Sequence, residues 1–406
     1  MKKRVLALLL AGLMIFALAA CSDQNGSQKP DNEGQNNEGQ NNQGEGQKPS
    51  GGETAGIAKE DLKVGFVHIS DPSDKGYTYN HDLGTQEMVK ALGLSEDQVI
   101  NKYNVKENES CETALRELVE AGCQLIFATS FGFVDYVMAV AAEYPDVQFC
   151  HATGTQAAGS GLDNVHNYFA SIFEARYLAG IAAGLKTENN HLGYVGAYPF
   201  AEVISGFTAF YLGAKSVNPD VTMEVMYTDS WNDPTKEAQV AQALIDRGCD
   251  VISQHCDSTA PATTAEQNGV WQVGYNADMI DAAPNASLIS ARINWGIYVT
   301  YATQCVIDGK AIDVDWCKGY ADGAVYLSPL NTAIAAEGTQ EAIDAAAKEL
   351  VDGTRHVFDG PLSGVGTDFD GNEITVDIPE GEYYHESEEQ SAPSFCYIIP
   401  GISIAK

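Results

Sequence analysis

From residue 62 onward, short apolar runs alternate with longer segments in which apolar residues recur every three to four positions. The apolar runs are continuous, as in "KVGFVHI", "CQLIFATS" and "HLGYVGAY", which is typical of parallel strands covered on both faces. The segments between them, such as "ETALRELVEAG" and "TKEAQVAQALIDRG", have the period of amphipathic helices and end in glycine. This alternation predicts a doubly wound α/β fold.

The pattern begins again after the apolar segment "FEARYLAGIAAGLKT", so it predicts two α/β lobes and not one. We expect residues 59–168 plus about 295–320 to form an N-terminal lobe. Residues 169–294 plus parts of 321–406 are expected to form a C-terminal lobe. Open parallel sheets bind ligands beyond the carboxyl ends of their strands, so two such lobes predict a cleft that closes over a ligand.

The first 58 residues do not follow this alternation. Three cations, Lys2, Lys3 and Arg4, precede an apolar stretch that ends in small residues, so residues 1–20 predict a signal peptide. The run "Leu18-Ala19-Ala20-Cys21" resembles a bacterial lipobox, which implies a lipidated Cys21 and an anchor on the extracytoplasmic face of the cell membrane. The alternatives are an ordinary signal peptide and a membrane anchor with an incidental Cys. The rest of residues 21–58 is rich in Gly, Gln, Asn and Glu, which predicts a disordered linker.

Charge limits the class of binding partner, and the cysteine pattern indicates the state of the thiols. The chain has 23 basic and 56 acidic residues, for a net charge of −33, which argues against binding nucleic acid. Eight cysteines follow Cys21 without a CxxC pair, and several lie in strand-like runs. We expect mostly free, buried thiols, with disulfides as the alternative. The scattered histidines show no metal-ligand spacing, so no metal site is predicted.

Aromatic and polar residues gather where the predicted strands end. The first strand is followed by "SDKGYTYNHD", and later strands by "SFGF", "SWNDP", "QHCDS" and "GYNADM". Aromatic planes suit a flat heterocycle, whereas amides and carboxylates suit its N–H groups, amino groups or a ribose. We therefore predict eleven ligand-binding residues: Asp74, Gly76, Tyr77, Tyr79, Asn80, Ser130, Phe131, Trp231, Asp257, Tyr275 and Asp278.

A structural interpretation stands beside this one. Single aromatic residues in α/β proteins are often core residues, and Asp74, Asn80, Asp233 and Asp257 are also suited to cap helices or form turns. Both roles are compatible, because a cap at a strand end also faces the cleft. The chain has no GxGxxG after its first strand, no phosphate-loop motif and no GxSxG. We therefore expect neither an enzyme nor a cofactor.

Seven segments, in this order and spacing, suggest a known family: "SDKGYTYNHDLG", "ATSFGF", "FEARYLAGIAAG", "DSWNDPTKE", "QHCDS", "VGYNADM" and "SLISARINWGIYVTYA". Over about residues 62–330 the chain resembles the basic-membrane-protein family of bacterial lipoproteins, which are substrate-binding components of ABC transporters for purine nucleosides and bases. The resemblance implies a type I periplasmic-binding-protein fold, a purine ligand between the lobes, an ABC permease as partner and a monomeric protein. The segments "GYTYNHDLG" and "QHCDS" resemble the branch of this family that is associated with purine bases such as adenine.

By position in that family, Tyr77 and Trp231 would stack on the base. The resemblance places five polar residues near the edges of the base or a ribose: Asp74, Asn80, Ser130, Asp257 and Asp278. The sequence departs from the family pattern at three places: Arg292 or Ile293 stands near a usual Lys, Asn276 near a usual Asp, and Ser171 near a usual Arg. The expected function is a lipoprotein that captures a purine base or nucleoside for uptake. The alternatives are a ligand-sensing lipoprotein and a binding protein for another small solute such as a sugar.

Overall fold

A computed structural model describes residues 56–368 and 371–405. The predicted signal peptide, Cys21 and nearly all of the predicted linker lie outside these residues. Within them the chain forms sixteen strands: β1 (Val64–His68), β2 (Val99–Lys102), β3 (Leu125–Thr129), β4 (Gln148–Ala152), β5 (Val165–Ala170), β6 (His191–Gly196), β7 (Thr222–Tyr227), β8 (Val251–Gln254), β9 (Trp271–Tyr275), β10 (Ser287–Ile293), β11 (Asp315–Lys318), β12 (Val325–Leu327), β13 (Leu362–Thr367), β14 (Glu373–Ile378), β15 (Tyr397–Ile398) and β16 (Ile402–Ile404).

The same residues form ten α-helices: α1 (Tyr77–Leu92), α2 (Glu109–Glu120), α3 (Val134–Glu143), α4 (Ala157–Ser160), α5 (Ile172–Lys186), α6 (Ala201–Val217), α7 (Pro234–Asp246), α8 (Ala260–Asn268), α9 (Trp295–Asp308) and α10 (Thr339–Val351). None of these helices combines the length and the apolar character that crossing a bilayer requires. The eight cysteines after Cys21 are all unpaired thiols.

Two mainly parallel sheets define two lobes. The sheet of lobe one has the order β11-β5-β4-β3-β1-β2, and all of its strand pairs are parallel. The sheet of lobe two has the order β12-β10-β9-β8-β6-β7-β16, in which only β12 runs antiparallel to its neighbour. The strand order reverses beside β1 in lobe one and beside β6 in lobe two. The predicted α/β fold is therefore confirmed, and each sheet has a switch point of the kind that binds ligands.

Alternate residues of each central strand pack into different layers. In lobe one, Phe66 and Phe127 belong to the core that includes α1 and α9, whereas Val67 and Ile126 belong to the core beneath α2 and α3. Lobe two is layered in the same way, with α5 and α6 on one face and α7 and α8 on the other. Because both faces are covered, the strands have no polar side, and this explains the continuous apolar runs in the sequence.

Helices α5 and α6 form a close pair within lobe two. A Cβ atom at Gly213 of α6 would clash with the carbonyl oxygen of Tyr177 on α5, so only glycine permits this approach. Most of both helices is buried. The close packing fixes the relative positions of Arg176 on α5 and Glu202 on α6, two residues that belong to the site described below.

The C-terminal part of the chain adds short strands that the sequence pattern did not predict. Strands β13, β14 and β15 form a small antiparallel sheet, and β16 pairs in parallel with β7 at the edge of the lobe-two sheet. Helix α10 packs against α5. These strands are short, and β13 alternates buried and exposed residues with two glycines, so they lack the continuous apolar signal of the central strands.

Candidate ligand-binding site

A cavity lies where the carboxyl ends of the strands of both lobes meet. The lobes approach each other closely there, and the space left for the centre of a water molecule is about 20 Å³. Each lobe contributes five lining residues: Ile69, Tyr77, Ser130, Phe131 and Thr153 from lobe one, and Glu202, Trp231, His255, Asp257 and Tyr275 from lobe two.

The wall from lobe one consists of apolar, aromatic and hydroxyl side chains. The Ser130 hydroxyl donates to Glu107 Oε1 at 2.7 Å, and the backbone N–H of Gly132 donates to the same oxygen at 2.7 Å. Thr153 has a φ of +61°, a left-handed conformation that is rare for a β-branched residue. Strained backbone of this kind is concentrated at functional sites, so its position in a cavity wall supports a binding role.

Aromatic rings continue this wall into lobe two. Trp231 follows β7, and its ring packs edge-on against Tyr198 with the ring centroids 5.1 Å apart. Phe200 lies 6.1 Å from Trp231 and 5.2 Å from Phe131, so the cluster spans both lobes. The half-buried Trp231 thus has one part packed and another part facing the cavity.

Asp257 connects the lobes directly. Its Oδ1 accepts hydrogen bonds from the backbone N–H of Tyr77 at 3.0 Å and from Asn276 Nδ2 at 3.1 Å. A Cβ atom at Gly76 would lie 2.5 Å from the Asp257 Cα, so glycine is required for this approach. Burial raises the pKa of Asp257 well above its usual value, and the nearby Asp74 and Glu237 raise it further.

The side chains of Arg176, His255 and Glu202 form a polar chain that ends at the cavity. Arg176 donates from Nη2 to His255 Nδ1 at 3.1 Å and from Nη1 to the Gln254 carbonyl at 3.0 Å. Because a guanidinium only donates, His255 Nδ1 accepts, and the neutral ring carries its proton on Nε2. That nitrogen lies 3.4 Å from Glu202 Oε1.

The pKa values of this chain follow from its burial. The pKa of His255 lies well below its usual value, because the ring is buried and Arg176 is adjacent. Burial raises the pKa of Glu202 to about 7; Arg176 opposes this shift and Glu107 adds to it. The site therefore contains a neutral histidine and a carboxyl group that changes charge near neutral pH.

Six of the eleven predicted residues line the cavity: Tyr77, Ser130, Phe131, Trp231, Asp257 and Tyr275. The Tyr275 ring lies under the Arg176 guanidinium at 3.8 Å, and its buried hydroxyl has no hydrogen-bond partner within the described part of the chain. The structure thus brings together predicted residues from five separate segments of the sequence.

The other five predicted residues lie beside the cavity in structural roles. Asp74 accepts the backbone N–H groups of Gly76 at 2.8 Å, Tyr79 at 3.0 Å and Thr78 at 3.1 Å. This cap explains why α1 begins at Tyr77. Gly76 permits the contact with Asp257. Ligand contact by Asp74 and Gly76 stays a prediction.

The remaining three have polar contacts of their own. The Tyr79 ring lies 4.2 Å from Lys75 Nζ, and Asn80 Nδ2 donates to the Ile293 carbonyl at 2.7 Å. Asp278 accepts the backbone N–H of Ile280 at 3.1 Å and caps a short 3₁₀ helix, Met279–Asp281. Direct ligand contacts by these three residues likewise stay predictions.

Four lining residues were missed by sequence reasoning: Ile69, Thr153, Glu202 and His255. Ile69, Thr153 and His255 directly follow strands, so the strand-end rule applied to every strand would have included them. Glu202 was detectable as the first acidic residue after "GAYPF", in the first turn of α6. Arg176, which supports the wall from behind, was detectable as a lone cation in the apolar run "FEARYLAGIAAG".

The three departures from the family pattern also have defined places. Arg292 Nε donates to the Asn276 carbonyl at 2.6 Å, and Asn276 itself supports Asp257. The Ser171 hydroxyl lies 3.4 Å from the Cys317 sulfur, before the start of α5. None of these residues belongs to the cavity lining.

One group of possible metal ligands occurs among the described residues, away from the cavity. The ligand atoms of His191, Glu224 and Cys249 lie within 4.8 Å of one another. Both carboxylate oxygens of Glu224 accept hydrogen bonds from Arg247 at 2.7 Å. The Arg247 guanidinium therefore occupies the place that a metal ion would take beside Glu224.

Two doubly wound lobes with one shared cavity at their strand ends define a two-lobed solute-binding protein. The chain belongs to the family described as ABC transporter substrate-binding protein, PnrA-like, which it matches over residues 62–354. This confirms the predicted family. Members of a family with this description are solute-binding proteins.

Individual relatives agree with this assignment. The chain is 38% identical over 312 residues to a purine-binding protein of Brucella abortus, covering 76% of this chain and 86% of the relative. It is 32% identical over 336 residues to a Haloferax volcanii protein named as an ABC transporter glucose-binding protein, covering 82% of each. A solved solute-binding protein from Conexibacter woesei has 20% identity and a TM-score of 0.60, covering 73% of this chain and 98% of that one, which shows the same fold.

Proposed function

We propose that this protein captures a purine, a free base in preference to a nucleoside, and delivers it to an ABC permease for uptake. The relative at 38% identity is named as a purine-binding protein, and it covers most of both chains. The segments "GYTYNHDLG" and "QHCDS" resemble the branch of the family associated with purine bases, which favours a free base over a nucleoside.

The observation that supports this function most directly is the aromatic wall of the cavity. Tyr77, Phe131 and Trp231 place three rings around one cavity. Stacking on aromatic rings contributes roughly 1–3 kcal/mol per base. Glu202 and Asp257 add carboxyl groups that pair with the ring nitrogens and amino groups of a heterocycle.

A sugar is the second candidate, because the Haloferax volcanii relative is named for glucose. Aromatic faces and carboxylates also bind hexoses. Titration calorimetry on the purified full-length protein with adenine, guanine, hypoxanthine, guanosine and glucose separates the two. We expect a purine base to bind with a dissociation constant at or below about 1 μM. Glucose binding without purine binding would contradict the proposal.

We also propose that the protein is held on the extracytoplasmic face of the membrane by lipid on Cys21, with the following low-complexity residues as a tether. Wild-type protein should enter the detergent-rich phase in a phase-separation assay, whereas Cys21→Ser should stay in the aqueous phase. Identical partitioning of both would contradict the anchor. Loss of labelled purine uptake on deleting the gene would support transport over sensing.

A further inference from the structure

Glu202 and Asp257 are the two cavity-lining carboxyl groups, and each has one engaged oxygen: Asp257 Oδ1 accepts from Tyr77 and Asn276, whereas Glu202 Oε1 faces His255. His255 Nε2–H points to Oε1 from 3.4 Å. Within the described residues Oε2 has no hydrogen-bond partner, and the side chain remains 11% exposed where it lines the cavity. Oε1 is therefore held as an acceptor, and Oε2 is available to a ligand.

Hydrogen bonds within the protein hold the supporting chain in place. Arg176 donates from Nη1 to the Gln254 carbonyl and from Nη2 to His255, and it acts on Glu202 through its charge alone. A Cβ atom at Gly206, one turn beyond Glu202 on α6, would lie 3.0 Å from Arg176 Nε and 3.3 Å from His255 Nδ1. His255 is thus held between the guanidinium and the carboxyl group as a neutral donor.

The charged and titratable groups around Glu202 come from several elements. Arg176 is the one cation that acts on its charge, while Glu107 disfavours ionisation from lobe one. Glu202 in turn acts on three neighbouring groups that also face the cavity: Tyr77, Asp257 and Tyr275. Burial raises the pKa of Asp257 as well as that of Glu202, so a closed cavity disfavours charge on either carboxyl group, which favours a protonated Glu202 in the closed, liganded protein.

We propose that Glu202 is a ligand-contacting, specificity-determining residue whose Oε2–H donates a hydrogen bond to a lone-pair acceptor of the bound heterocycle, so that capture takes up one proton. This inference rests on the proposed purine function and specifies its chemistry. In the free protein near neutral pH the carboxylate takes a proton from solvent, and in the complex that proton lies between Oε2 and the ligand. The ligand class is then a neutral heterocycle with an unprotonated ring nitrogen, as adenine has, and not a cation.

Proton uptake is measured directly by titrating adenine in two buffers of different ionisation enthalpy, at about one pH unit above the Glu202 pKa. We expect wild-type protein to take up close to one proton per adenine bound, and its affinity to fall about tenfold per pH unit above pH 7. Glu202→Gln should take up none, because its amide donates from Nε2 and accepts His255 at Oε1 at every pH. Its affinity should stay within about threefold of the wild-type value at low pH.

Glu174→Gln is the matched control. Burial also raises the pKa of Glu174, but the residue lies outside the cavity lining, where it accepts from the backbone N–H of Tyr320 at 2.5 Å. This variant should keep the proton uptake and the pH profile of the wild type. Adenine analogues that each lack one ring nitrogen then locate the acceptor, since one of them should lose both affinity and proton uptake.

The outcomes distinguish this inference from the function on which it rests. Purine binding without proton uptake overturns the role of Glu202 and leaves the purine function in place. A folded Glu202→Gln variant with wild-type proton uptake would likewise overturn the role of Glu202 and leave the purine function in place. If no purine binds at any pH, the proposed function and this inference fall together.

Discussion

The two lobes share one architecture, yet the walls they present to the cavity differ in chemistry. The lobe-one lining contains no side chain that ionises more easily than tyrosine, whereas lobe two supplies Glu202, His255 and Asp257. Lobe one has carboxylates nearby, but Asp74 is surrounded by backbone N–H groups and Glu107 holds Ser130. The comparison indicates that lobe one provides a surface for packing against the ligand. Lobe two provides the groups that form hydrogen bonds with the polar edge of the ligand.

The largest expected effect comes from preventing the two walls from meeting. Gly76→Ala would place a Cβ atom 2.5 Å from the Asp257 Cα. Overpacking of this kind costs about 3 kcal/mol at its upper range, so adenine affinity should fall by about 100-fold. Calorimetry measures the loss. Gly159→Ala, with nothing within 4 Å of its Cβ position, is the control. Unchanged affinity in Gly76→Ala would show that closure does not require this contact.

Trp231→Ala tests the aromatic contribution of lobe two. Losing one stacking ring should weaken adenine binding by about 2 kcal/mol, with fluorescence or calorimetry as the measurement. Trp271→Ala is the matched control, because this half-buried Trp packs against Lys186 at the start of β9 and does not line the cavity. Equal losses in both variants would assign the effect to stability and remove Trp231 from the site.

Tyr275→Phe removes a single hydroxyl group from the lobe-two wall. This hydroxyl is buried without a partner in the described structure, so we expect it to gain one from the ligand. Affinity should fall by about 1 kcal/mol, while thermal stability stays level or rises because an unpaired polar group is lost. Tyr194→Phe removes an equally unpaired hydroxyl outside the cavity lining and should change stability alone. An unaltered affinity for Tyr275→Phe would exclude the hydroxyl from ligand contact.

The smallest effect is expected on the lobe-one side. The Ser130 hydroxyl proton is already donated to Glu107, so only a lone pair remains for a ligand. Ser130→Ala should therefore change adenine affinity by less than about 0.5 kcal/mol, or roughly twofold, in the same titration. A tenfold loss of affinity would mean that lobe one also forms hydrogen bonds with the ligand. That result would contradict the proposed difference between the two lobes.

The architecture was predictable because its signal is strong and repeated. Continuous apolar strands such as β1, β3 and β6 alternate with amphipathic helices, and the pattern restarts once. Strands β13 to β16 escaped prediction because they are short or alternate in burial, so their positions depend on tertiary pairing.

The site was predictable at the level of strand ends but not at the level of individual carboxylates. Asp74 and Asp257 both follow a strand and precede a helix, with aromatic residues near them in the sequence. One caps its own helix and the other reaches across to Tyr77 in the opposite lobe. That difference depends on the distance between lobes, which no local pattern encodes. The position of Arg176 beneath His255 depends on the packing of α5 on α6 for the same reason.

The contacts that bridge the cavity have a consequence for exchange rates. Asp257 meets Gly76 and Tyr77, Phe131 meets Phe200, and Asn232 Nδ2 donates to Ser70 Oγ at 3.2 Å, all across the lobe boundary. A solute held behind these contacts leaves only when they separate together. Residence time is then set by how often the lobes part, and a permease that pulls them apart would release the cargo without competing for any of the groups that hold it.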